Sequence, residues 1–161
     1  MLHNKKGGNK MDYLYKTTTK FTLEEYKKFN KALIKKRHLY LLSIIAVAFI
    51  LASGILLKNI FLIIFAVIYP FLFLISMNIG VKRTFNSNKL LQNVEVEYEF
   101  YNDYLLEKHE GGEAKVPYEK LDEIIETKTN FYLMIAKNQG FMISKENFPE
   151  GLEDFIKNLK K

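Results

Sequence analysis

The sequence predicts an α+β membrane protein, a two-helix transmembrane hairpin joined to an antiparallel β-sheet domain that a C-terminal α-helix closes. Three observations predict it. Residues 39–57 and 60–81 are apolar runs without Asp, Glu, Lys, Arg or His, separated only by Lys58 and Asn59. Residues 94–144 are short stretches of β-branched, aromatic and alternating residues cut by turn signals, the pattern of successive strands. Leu152, Phe155, Ile156 and Leu159 then recur at i, i+3, i+4 and i+7, the apolar stripe of a helix.

As helices at about 1.5 Å per residue, the two apolar runs reach roughly 28–33 Å, the thickness of a bilayer's hydrocarbon core. Two buried core helices are the competing reading. A chain of 161 residues has no second layer large enough to cover them on every side, and helices apolar all round belong in a very large core or in lipid. A cleaved signal segment fits poorly, because the first run is long and begins far from the N-terminus. Pro70 lacks an N–H for the Ala66 carbonyl and is expected to kink the second helix. Ala48 and Ala52 form a small-xxx-small pair suited to close helix approach.

Before the hairpin, residues 1–11 are basic, polar and Gly-containing, a composition of disorder; Met11 is an alternative start. Residues 12–20 alternate Tyr13, Tyr15, Thr17 and Thr19 against Leu14, Lys16 and Thr18, which reads as a strand. Thr22 and Glu25 then make a capping box, with Thr22 as N-cap. The helix it starts carries Leu23, Tyr26, Phe29, Leu33 and Ile34 on one face and Lys27, Lys28, Lys31 and Lys35 largely off it. Two compatible placements fit this juxtamembrane helix, which with the preceding strand makes up residues 12–38: along the inner leaflet, and with Tyr26 and Phe29 packed on the C-terminal domain.

Residues 82–93 read as a polar linker and 94–161 as the domain proper. Val94, Val96, Tyr98 and Phe100 alternate with Glu95, Glu97 and Glu99, a half-buried strand whose glutamates form its solvated face. Asn102-Asp103 signals a hairpin turn, and strands follow at 104–107 and 114–118 around Gly111-Gly112. Residues 121–127 suit a strand or a short helix. Residues 131–137, FYLMIAK, are a continuous apolar strand, turned at 138–140 and paired back by 141–144. Pro149 suits the first turn of the closing helix, and Lys157, Lys160 and Lys161 its C-terminal end.

Charge is unevenly placed. Residues 1–38 hold eleven Lys/Arg against three Asp/Glu, residues 39–93 four basic groups and no acid, and residues 94–161 nine Lys against fifteen Asp/Glu. The basic surplus flanks the apolar runs while the domain is acidic, which argues against a nucleic-acid partner. Lys27, Lys28, Lys31, Lys35, Lys36 and Arg37 precede the first run, Lys82, Arg83 and Lys89 follow the second, and only Lys58 lies between. The positive-inside bias then puts both termini in the cytoplasm. There is no Cys, so neither disulfides nor thiolate chemistry is expected.

With the order strand, basic helix, membrane hairpin, antiparallel strands and closing helix in view, the chain resembles the YcxB-like family of bacterial membrane proteins. The resemblance covers nearly everything from Met11 to Lys161. It is carried by Phe21-Thr22-Leu23-Glu24-Glu25-Tyr26, by residues 96–101, and by Val116-Pro117-Tyr118. Its most specific part is Phe131-Tyr132-Leu133, then Gly140-Phe141-Met142-Ile143-Ser144-Lys145, Phe148 and Phe155-Ile156. Ser144 departs from the family's frequent Pro. The resemblance implies a pleckstrin-homology-like (PH-like) module, a bent antiparallel sheet closed by a C-terminal helix, on the plasma membrane of a bacterium. It brings no catalytic residues with it.

No constellation for catalysis stands out. His3, His38 and His109 are the only imidazoles, none in an HExxH or with a Ser/acid partner at readable spacing. Glu119, Asp122, Glu123 and Glu126 read as exposed charge rather than a carboxylate pair. Catalytic, metal and cofactor-binding residues are therefore expected to be none, with no small-molecule substrate. The expected partners are the bilayer and either a protein partner or further copies of the chain, engaged by strand edges or a sheet face. A lipid-headgroup sensor and a bacteriocin-immunity or envelope-stress protein are the alternatives; a membrane hydrolase ranks last. Asn102-Asp103 lacks a basic cluster, which weakens phosphoinositide-style binding there.

Overall fold

A computed structural model describes residues 13–88 and 92–159. The expectations for residues 1–12, for Lys89 and for Lys160 and Lys161 lie outside that range. The elements run β1 (Tyr15–Lys20), α1 (Leu23–Lys36), α2 (Leu39–Leu56), α3 (Ile60–Ser87), β2 (Glu95–Phe100), β3 (Tyr104–His109), β4 (Gly112–Pro117), β5 (Glu123–Glu126), β6 (Asn130–Ala136), β7 (Gln139–Ser144) and α4 (Leu152–Asn158).

The strands form two antiparallel sheets, β1-β2-β3-β4 and β5-β6-β7. β1 pairs with β2 along its whole length, from Tyr15 opposite Phe100 to Lys20 opposite Glu95. The unit built by strand pairing thus takes in residues on both sides of the hairpin, and the early strand reaches the sheet as its alternation suggested. Thr17 and Thr19 face inward and are buried. Their hydroxyls join the sheets: Thr17 Oγ1 donates to the Asn147 carbonyl (3.2 Å), and Thr19 Oγ1 accepts from the Ser144 amide (2.9 Å). Between the sheets lie Val96, Tyr98, Phe100, Leu105, Phe131, Leu133, Phe141 and Ile143, closed by Leu152 and Ile156 of α4. Residues 121–127 resolve into a strand after a 3-10 turn at Tyr118–Lys120. Pro149 is not in the first turn of α4; the chain reverses through Gly151 at φ +84°, and the helix starts at Leu152.

The outer face of the three-stranded sheet is also apolar, which is why β6 has no polar alternation. Ile125, Tyr132, Met134 and Met142 lie there, and Phe29 and Ala32 of α1 pack on them. Phe29 meets Tyr132 at 5.3 Å between ring centroids. The structure thus gives the apolar face of α1 to the domain, and Phe29, Ala32 and Ile34 are buried. Thr22 caps the helix, accepting from the Glu25 amide at 3.2 Å. Glu25 does not complete the box: its carboxylate accepts instead from Lys28 Nζ and from Asn130 Nδ2, each at 2.6 Å.

α2 and α3 form the hairpin. Lys58 adopts the left-handed conformation (φ 51°) in the turn between the arms, and the Asn59 side chain accepts from the Phe61 and Leu62 amides to start α3. The arms touch at Gly54, where a Cβ would meet Ile63 Cγ1 at 2.9 Å. Both helices are long and apolar enough to cross a membrane, with mean hydropathies of 2.6 and 2.7 over their most apolar windows and only 6% of each window buried. Apart from Tyr13 and Leu14, every exposed large hydrophobic side chain among the described residues lies between Leu39 and Ile79. α3 is continuous through Pro70 and does not stop at Val81. It runs through Lys82 and Arg83 into the segment expected to be linker, because Phe85 docks on Phe21 (5.9 Å) and Tyr26 (6.0 Å) of the domain.

Phe29→Ala tests where α1 spends its apolar face. Truncating a buried phenylalanine costs about 3–5 kcal/mol, so the thermal unfolding midpoint of the detergent-purified full chain should fall by several degrees. A helix resting on lipid would lose membrane affinity and leave that midpoint unchanged.

Candidate functional site, a cleft at the hairpin–domain joint

The residues singled out in the sequence disperse in the fold. His109 ends β3, and its Nδ1 accepts from the Gly111 amide at 3.0 Å across the turn to β4. His38 is exposed at the joint between α1 and α2, in the left-handed conformation (φ 54°). Glu123 pairs with Lys36 at 2.7 Å, and Glu126 with Lys145 at 2.7 Å and Lys157 at 3.3 Å. Two members of the acidic run, Glu123 and Glu126, are therefore held in separate ion pairs. Of the β2 glutamates expected on a solvated face, Glu95 is exposed and Glu97 pairs with Lys16, but Glu99 is buried (4% exposed) in its pair with Lys108, both pairs at 2.7 Å. Burial alone would raise the Glu99 carboxyl, but hydrogen bonds from Lys108 and Tyr101 outweigh it and hold it below the usual carboxylate range. The Tyr101 hydroxyl is pushed up to about 12 by the same bond. Among the described residues, no group of three or more His, Asp or Glu is arranged to hold a metal ion.

What the fold does assemble is a cleft of about 260 Å³ where the two sheets part on one side. Tyr26 and Phe29 of α1, with Phe21 just before the helix, supply one wall, and the start of β7, from Gln139 to Met142, supplies the other. Gly140 is required there, since a Cβ would lie 2.7 Å from the Leu133 carbonyl oxygen and 2.8 Å from Met134 Sδ. Tyr98 and Glu107 are at the bottom, opposite each other on β2 and β3. Tyr98 packs edge-on to Phe141 at 6.4 Å. Its buried hydroxyl, held by Glu107 and the backbone of Met142, is pushed well up, first by desolvation and then by the Glu107 charge.

Glu107 is the residue that reading the sequence missed. Leu105 has the same strand parity and is fully buried, so the period-two rule turns Glu107 toward the interior as well. Burial raises its carboxyl above the usual carboxylate range, against smaller lowering effects from His109 and from the Tyr98 hydrogen bond. Electron-rich rings with one carboxyl beneath them are chemically suited to a cationic side chain or ammonium group.

The cleft is tied to the hairpin. Arg37 Nη1 donates to Asn138 Oδ1 at 2.8 Å, joining the end of α1 to the β6–β7 turn beside the cleft. The wall-forming helix is followed, after Arg37 and His38, by the apolar helix α2.

Residues 100–159 match the family model described as YcxB-like protein. The match contains the segments from Phe131 to Ile156 that carried the resemblance most specifically, whereas Phe21–Tyr26 and the part of β2 before Phe100 lie outside it. No curated protein and no solved structure matches the chain.

Because the folded chain holds the Glu107 proton more tightly than the unfolded one, the stability this confers is complete below the unfolded carboxylate value of about 4.3. It is lost as the pH rises through the higher folded value. Glu107→Gln removes that loss. Thermal midpoints of variant and native full-length protein should be similar near about pH 4 and the variant's higher near about pH 7.5. Equal midpoints at both pH values would show that the carboxyl is solvated.

Proposed function

From a chain whose residues 100–159 are YcxB-like, we propose a membrane-anchored recognition module that binds rather than catalyses. In this reading the hairpin spans a bacterial plasma membrane, both termini are cytoplasmic, and the two sheets with α4 form a PH-like domain. Seven strands in sheets of four and three, with a helix against the open core, support that architecture. The full pairing of β1 with β2 requires the hairpin to leave and re-enter on one side. The exposed Lys27, Lys31, Lys35, Lys82 and Arg83 near that side support a cytoplasmic assignment.

The observation that carries the functional reading is the shared wall. Tyr26 and Phe29 line the cleft, and the helix that bears them leads into the membrane anchor two residues after its end. An occupant is thus read out directly against the helix entering the bilayer. The cleft's chemistry selects a protein segment bearing a Lys or Arg side chain. Rings supply the apolar and cation–π contacts, and the Glu107 carboxylate forms the ion pair.

A photo-crosslinking side chain at Gln139, which is exposed at the rim, tests this in native membranes with the full-length protein. A discrete protein adduct should form from position 139 and not from the exposed Glu113 on β4. Glu107→Gln should weaken that adduct about tenfold, the equivalent of roughly 1.4 kcal/mol for one charge-assisted contact. Adducts indifferent to Glu107→Gln, or equal from both positions, would place recognition elsewhere. Sidedness has its own check: a reporter fused after Lys161 should be active only in the cytoplasm.

A further inference from the structure

α1 lies antiparallel beside the C-terminal half of α3, and a second hollow of about 160 Å³ opens between them and the start of α2. Lys27, Asn30 and Lys31 line it from α1, Tyr40 from α2, and Asn78 from α3, over a floor of aliphatic side chains. The charge lining it is wholly basic. Lys28 is engaged by Glu25 at 2.6 Å, Lys36 by Glu123 at 2.7 Å, and Arg37 by Asn138 at 2.8 Å. Lys27 and Lys31 are exposed and make no ion pair or hydrogen bond among the described residues, and no carboxylate lines the hollow.

Two unneutralised lysines at i and i+4 repel each other, and an anion between them relieves that repulsion. The two asparagines supply the opposite polarity. Asn30 Nδ2 donates to the Tyr26 carbonyl at 2.8 Å and Asn78 Nδ2 to the Leu74 carbonyl at 3.2 Å, which leaves each amide oxygen as an acceptor. The floor continues into the exposed apolar surface of α3, where Leu74, Ile75 and Ile79 are uncovered. Donors for a phosphate, acceptors for hydroxyls and an aliphatic exit thus converge at one place.

We propose that this hollow seats the headgroup of one anionic phospholipid, its phosphate between Lys27 and Lys31, its headgroup hydroxyls on the asparagine oxygens, and its acyl chains along α3. The inference rests on the hairpin's being a membrane anchor. It assigns the lipid contact to the α1–α3 groove, away from the turns of the sheet and from the aromatic cleft.

The test uses the full-length protein purified in mild detergent, with bound lipid counted by native mass spectrometry after equilibration with phosphatidylglycerol or phosphatidylcholine. One phosphatidylglycerol should be retained per chain in preference to phosphatidylcholine. K27Q/K31Q should reduce retention about 10- to 30-fold, on the scale of about a tenfold loss or less per lysine near an anionic surface. K35Q, which removes an exposed lysine outside the hollow, should leave retention unchanged. Equal retention of both lipids, a K27Q/K31Q protein that binds like the native one, an equal loss in K35Q, or displacement by millimolar inorganic phosphate would each overturn the proposal. Carbonate extraction separates it from its premise. A chain released from membranes without detergent loses the anchor itself, whereas an embedded chain with no phosphatidylglycerol preference loses only the headgroup site.

Discussion

The structure depends on one backbone ladder, β1 on β2, closed across the 74 residues that separate Lys20 from Glu95. Everything between those strands has to leave the domain and come back to it. α1 folds over the outer face of the three-stranded sheet, the two apolar helices go out and return, and the overhang of α3 docks Phe85 beside the point of departure. The apolar hairpin is therefore an insertion into the domain, held at its root from both ends.

Packing, more than charge, fixes that root. The ion pair between Lys36 and Glu123 is between partly exposed groups, and such pairs are worth at most about 1 kcal/mol. Phe29 and Ala32 are removed from water against Tyr132, Met134 and Met142, and a buried phenylalanine outweighs several such pairs. The polar exception is Asn130, fully buried at the start of β6. Its amide donates to Glu25, and its oxygen accepts from Thr129 Oγ1 at 2.6 Å. This link locates the first turn of α1 on the sheet, and it accounts for Glu25 turning away from its own helix terminus.

Much of the fold was legible because it follows from periodicity. The alternation of Val96, Tyr98 and Phe100 gave the inward face of β2. The unbroken FYLMIA run in β6 signalled burial on both faces. The period-two pattern of Tyr15, Thr17 and Thr19 placed β1 in a sheet although its partner is far away in sequence. What was not legible depends on tertiary neighbours. Lys82, Arg83 and Thr84 look like a linker on composition, and only the docking of Phe85 keeps them helical. The apolar face of α1 suited a leaflet and a sheet alike, and only Tyr132 and Met142 beneath it show the sheet contact. The candidate site was the least visible part, because Glu107 resembles the alternating glutamates of β2 until its parity with Leu105 is noticed. A cleft formed by a helix, two sheets and a hairpin turn has no contiguous signature at all.

The ladder across the insertion also dictates an order of events during synthesis. β1 leaves the ribosome first and has nothing to pair with until β2 emerges, so it waits through translation of both apolar helices. On the proposed membrane anchoring, those helices enter the bilayer before β2 emerges; otherwise their apolar surface competes for the same half-made sheet. On that same proposal, a lesion that slows insertion, such as a charge placed near Gly54, would be felt first as an unpaired β2 edge, prone to aggregation, before any loss of anchoring was apparent.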